Sequence, residues 1–230
     1  MSQRLPIPAA NARRLLIAAT LLSAVLWYIP GAELVTYPIR LFVTLIHEGG
    51  HAAITLLTGG QVERIALDAR ANGLTLSLGG LPFLIYMAGY LGTTVFGALS
   101  LQITRRPGSG PLALGMMAGV ALVLTLLWVR NGFGFGAGLG IALVLLLLAR
   151  YLRQPAADFA AAFLSVQLCL NALFDLRNLL FMSTVLGGDN DAVFMARMYG
   201  LTPWFWAILW AVGAGAILLG ALRAYWGGSR

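Results

Sequence analysis

The 230-residue chain contains no lysine, one cysteine (Cys169), two histidines and eight acidic residues. A single cysteine excludes an intrachain disulfide and any cysteine-built metal cluster, and it leaves the redox compartment unread. Only 10% of the residues are charged while 60% are hydrophobic, and the mean hydropathy is +0.85. That balance is foreign to a soluble domain and belongs to an integral membrane protein. The formal charge of +7 rests on fifteen arginines. They stand singly or in pairs near the ends of apolar runs, as in Arg13 with Arg14, Arg105 with Arg106, and Arg150 with Arg153. Such flanking positions suit a lipid bilayer as partner and offer no phosphate-binding patch, so no nucleic-acid partner is expected.

What the chain does have is apolar length. Hydrophobic segments fall at about 15–29, 37–57, 81–102, 111–129, 134–150, 157–186 and 203–224. Five of the seven are about 17 to 22 residues long, which matches the hydrocarbon thickness of a bilayer. The expected fold is mainly α: a polytopic membrane bundle of six to seven transmembrane helices, forming one domain over 1–230. The first run follows a basic start and lacks an A-x-A exit, so it reads as a retained signal-anchor helix. Trp128, Tyr151, Trp204, Trp206 and Trp226 lie near segment ends, where amphipathic rings favour the headgroup region.

The connection 58–80 differs from the others. Leu74, Leu76 and Leu78 alternate with Thr75 and Ser77, and Asn72-Gly73 is a favoured two-residue turn, so a β-hairpin is expected over about 61–80.

Just before it, the second apolar segment carries both histidines in the run LIHEGGHA, residues 45–52. On a helix His47 and His51 are one turn apart on the same face, so two imidazoles can bind one metal ion. Glu48, about 100° around the axis, can reach a metal-bound water without being a ligand. Metal-assisted hydrolysis needs this combination, in which a carboxylate takes the water's proton and hands it to the leaving amine. An ionisable group inside a span costs about 2.5–3.5 kcal/mol, which weighs against a chance match. Gly49 and Gly50 each give up about 1 kcal/mol of helix propensity, and close approach of another backbone or of substrate is what would offset it.

Zn2+ needs a third protein ligand, and with no further histidine it must be a carboxylate. Asp68 lies in the hairpin, and Asp158 has a simpler explanation at a helix N-terminus. Asp175, Asp189 and Asp191 remain. Asp175 shares a helix face with Gln167, Asn171 and Asn178, a polar stripe that should face a protein interior or a wet cavity; pairing with Arg177 is its structural alternative. Asp191 follows that helix on the side where the second segment also ends, and a helix cap is its alternative.

Taken together, LIHEGGHAAITLLTGG, the hairpin, MAGYLGTTVFGAL (87–99), LFDL (173–176) and NDAVFMAR (190–197) resemble the site-2 protease family of intramembrane zinc metallopeptidases. The likeness is to its small M50B-like bacterial branch, over about residues 40–210. It departs from the family in lacking the proline between the last two motifs and in their longer spacing. The resemblance implies that His47, His51 and Asp191 are zinc ligands and Glu48 the general base. Asp175 and Asn171 are then an alternative ligand or substrate-positioning residues. It further implies a metalloendopeptidase of the bacterial inner membrane that cuts a membrane-protein substrate in or near a transmembrane segment. A non-proteolytic protein using the metal for structure, scaffolding or metal handling is the competing expectation. A transporter is a third, without the internal repeat that many transporters show. Oligomeric state is not readable from the sequence.

Overall fold

The computed structural model describes residues 9–28, 33–182 and 190–227, with only the helical backbone described at 9–13, 15, 16, 24, 27, 28, 33, 171–182 and 227. Among the described residues the chain forms eight helices and one two-stranded sheet. In chain order these are α1 (Ala9–Tyr28), α2 (Glu33–Leu57), β1 (Gln61–Leu67), β2 (Gly73–Leu78), α3 (Pro82–Thr104), α4 (Gly110–Trp128), α5 (Gly132–Tyr151), α6 (Gln154–Met182), α7 (Asp191–Tyr199) and α8 (Pro203–Gly227). The expected mainly α, membrane-type fold is therefore observed. Among the described residues α3, α4, α5 and α8 are each long and apolar enough to cross a bilayer. Helices α1, α2 and α6 occupy the other three expected segments, and α7 is a short helix that periodicity did not predict.

Large apolar residues lie on both the inside and the outside of the bundle, Leu101, Leu114 and Met117 being buried. Small residues face inward, with Ala113, Ala118 and Ala121 of α4 and Ala157 and Ala161 of α6 essentially buried. Large ones such as Leu143, Leu147, Val212 and Leu219 face outward. Where the surroundings are as apolar as leucine, helices associate through close packing of small side chains. Gly110 shows how close, because a Cβ there would overlap the backbone of Ala157 and Asp158. Asp158 is buried and accepts hydrogen bonds from the amides of Gly108 (2.8 Å) and Gly110 (2.7 Å). It thus satisfies the N-terminus of α4, not that of its own helix.

The hairpin is antiparallel, running from Gln61 opposite Leu78 to Leu67 opposite Gly73. Its turn is not the expected Asn72-Gly73 pair. Gly73 is paired within the sheet, and the loop comprises residues 68–72, with Ala71 in the left-handed region at φ 61°. Asp68 organises this loop by accepting from the amides of Arg70 (2.8 Å) and Asn72 (2.9 Å) and from Asn72 Nδ2 (2.9 Å). Such carboxylate-to-amide bonds substitute for a tight turn. Burial alone would raise the Asp68 carboxyl, but the bonds from Asn72 and Arg70 outweigh it and hold it below its ordinary value.

Two sets of contacts fix the hairpin in place. Tyr37 Oη donates to Ala69 O (2.9 Å) and Thr44 Oγ1 to Ala71 O (2.9 Å), so the loop is fastened to α2. Along the outer side of β1, Arg130 N donates to Ile65 O (3.0 Å). The Asn131 amide both accepts from Leu67 N (3.1 Å) and donates to Leu67 O (2.7 Å). The α4–α5 connection thereby covers an edge that would otherwise present unpaired backbone groups.

Candidate metal centre

Helix α2 positions the HEGGH residues, and its two glycines let neighbours come close. A Cβ at Gly50 would overlap Ala88 O of α3, and one at Gly49 would overlap the Leu124 side chain of α4. Glu48 and His51 are buried and His47 nearly so. The two imidazole centroids lie 4.8 Å apart, edge to face. Ligand atoms of His47, Glu48 and His51 all lie within 4.8 Å of one another.

Each imidazole is held by a neighbour on α3. His51 Nδ1 is 2.7 Å from Ile85 O. A carbonyl can only accept, so the proton belongs on Nδ1, which leaves the Nε2 lone pair free for a cation. The His47 ring meets Tyr90 edge to face at 4.6 Å, and Tyr90 stacks on Trp210 at 5.0 Å. Gly89, between these contacts, is the residue that keeps space open: a Cβ there would fall on the Nε2 atoms of both histidines.

Into that space α7 brings Asp191. Its Oδ2 lies 3.1 Å from His47 Nε2 and 3.3 Å from His51 Nε2. Asn190 caps α7, its side chain accepting from Val193 N at 3.0 Å, so Asp191 is released from the capping duty it was weighed against. Ala192 and Met195 pack against Trp206 and Trp210 of α8, and Phe194 stacks on Tyr86 at 5.6 Å. Trp206, in the first turn of α8, is buried, and its Nε1 donates to Gly200 O at 3.0 Å. The α7–α8 corner is thus closed from inside, which orients the first residue of α7 toward α2.

The donor set suits a zinc ion. Ligands at about 2.0–2.1 Å in a tetrahedron stand about 3.3 Å from one another, which the two observed separations to Asp191 match. Two imidazole nitrogens and one carboxylate oxygen are borderline and hard donors in the combination that zinc hydrolases use, with a fourth position left for water.

Glu48 stands beside this cluster, its Oε2 accepting from Thr75 Oγ1 of β2 at 2.6 Å. Gly73 of the same strand lies against the carboxylate, where a Cβ would overlap Glu48. The glycine that looked like a turn residue is therefore required by the glutamate. Of the residues singled out from the sequence, His47, Glu48, His51 and Asp191 come together. Asp189 and the side chains of Asn171 and Asp175 lie outside the described residues. Gly89, Thr75, Gly73 and Tyr90 were not foreseen at the site; only the small pair Ala88-Gly89 in the third segment hinted at a close approach.

A family model described as Peptidase M50B-like matches residues 16–221. No curated protein and no solved structure matches the chain.

Proposed function

The chain belongs to the Peptidase M50B-like family, of site-2 protease type, and is a membrane protein; on that premise we propose that it is a zinc metalloendopeptidase acting within the bilayer. Its substrate is another membrane protein, cut in or near a transmembrane segment, and its location is the bacterial inner membrane, crossed several times. The observation that supports this reading best is the convergence of Asp191 on both imidazoles with Glu48 alongside.

His47 Nε2, His51 Nε2 and Asp191 Oδ2 would hold the ion. Zinc, when bound, supplies a Lewis acid that makes water nucleophilic near neutral pH and polarises the scissile carbonyl. The Glu48 carboxylate takes the proton from the attacking water and delivers it to the amide nitrogen, which leaves as an amine. His51 keeps its orientation because Ile85 O holds Nδ1, and His47 because Tyr90 braces its ring. Gly89 leaves the reacting side of the imidazoles unobstructed. The burial of Glu48 and His51 keeps bulk water from competing for these bonds.

The test compares the wild type with Glu48→Gln in proteoliposomes, using a substrate with a single transmembrane segment. Glu48→Gln should bind zinc as the wild type does and cleave at least about a hundredfold more slowly, because it lacks the base. Equal cleavage by both would refute the proposal.

A further inference from the structure

We propose that Thr75 is a positioning residue for the base: its hydroxyl sets where the Glu48 carboxylate sits, so the hairpin is part of the machinery and not only a connection. This rests on the metallopeptidase reading given above.

The Thr75 hydroxyl has one proton and two acceptors in reach, Glu48 Oε2 at 2.6 Å and Glu48 O at 3.1 Å. The shorter contact, to a charged acceptor, is the stronger, so the proton goes to the carboxylate. That bond occupies one carboxylate oxygen and fixes the torsion of a side chain that would otherwise have several rotamers.

The strand carrying Thr75 has little freedom to move. Its partner β1 is held on its outer edge by Arg130 and Asn131, and the loop between the strands is fastened to Tyr37 and Thr44. Gly73, two residues earlier on the same strand face, leaves room for the carboxylate to lie against the backbone. The alternation of β2 also runs opposite to a soluble hairpin: Leu74 and Leu78 are exposed while Thr75 turns to α2. A polar face directed at a helix carboxylate, with leucines directed outward, is what a strand needs if its inner face serves a polar site. Groups that orient a functional side chain from behind cost about 10- to 100-fold in activity when removed.

The test uses Thr75→Val, which keeps the shape without the donor, and Thr75→Ser, which restores the donor. Each is measured for zinc per chain, thermal midpoint, and kcat and KM on the single-span substrate. A readout independent of turnover is available because the chain has three glutamates, Glu33, Glu48 and Glu63. With 13C-labelled glutamate, Glu48→Gln identifies the Glu48 carboxyl resonance. Thr75→Val should lower kcat about 10- to 100-fold with KM and zinc content unchanged, and should move the Glu48 resonance. Thr75→Ser should recover both. An unmoved resonance in Thr75→Val, or a loss of activity matched by loss of zinc or of thermal stability, would overturn the proposal. If wild type and Glu48→Gln cleave equally, the proteolytic reading fails instead, and the resonance still decides whether Thr75 positions Glu48.

Discussion

Asp191 Oδ2 lies 3.1 Å from His47 Nε2 across 144 positions of sequence. A contact this distant in the chain is closed by helix packing, since α7 sits on Trp206 and Trp210 where its first residue reaches α2. Asp191→Ala should therefore leave the helices folded but lower zinc content and reduce cleavage by at least about a hundredfold, more than loss of a supporting group would. Asp175→Asn should keep close to one zinc per chain. Metal analysis of both purified variants checks this, and the opposite pattern would assign the third ligand to Asp175.

The three residues of α2 could be read together because helical spacing is local: His47, Glu48 and His51 are neighbours in sequence and on one helix. The apolar runs were equally legible, since bilayer thickness sets their length. From the residues alone Asp191 was one of three carboxylates, and only the family resemblance favoured it over Asp175, because its approach depends on Asn190 taking the cap and on an aromatic cluster from α8. Gly73 misled for a physical reason. Asn-Gly is a turn signal, but here Asp68 organises a longer loop and the glycine makes room for Glu48.

The glycines near the site separate two kinds of damage. Gly89→Ala places a methyl group on the Nε2 atoms of both histidines, so zinc content and activity should fall together. Gly50→Ala forces α2 away from Ala88 O of α3, and overpacking of this kind costs about 1–3 kcal/mol. Thermal denaturation in detergent together with metal analysis distinguishes them.

Trp210 is buried, and its Nε1 has no hydrogen-bond partner among the described residues. An unsatisfied buried donor costs about 1–3 kcal/mol, so Trp210→Phe loses packing volume but also removes that cost. Its thermal midpoint should stay within a few degrees of the wild type. Trp210→Ala, which also removes the stack against Tyr90, should lose about 3–5 kcal/mol.

The hairpin loop should loosen in acid. The folded Asp68 carboxyl titrates below its unfolded value, so its contribution is complete above an ordinary aspartate pKa of about 3.9 and is lost as pH falls through the lower folded value. Because the group is exposed, the effect should be local and modest. Amide exchange at Arg70 and Asn72, corrected for its intrinsic pH dependence, should quicken in acid. Asp68→Asn should remove that dependence.

The metal itself tests the account most directly, through zinc K-edge X-ray absorption of the purified wild type. One zinc per chain is predicted, with only nitrogen and oxygen neighbours at about 2.0–2.2 Å and two imidazoles among them. Cys169 should make no contribution, being buried with its Sγ 3.6 Å from Thr94 O. Absence of zinc, or a sulfur neighbour at about 2.3 Å, would contradict the assignment of His47, His51 and Asp191.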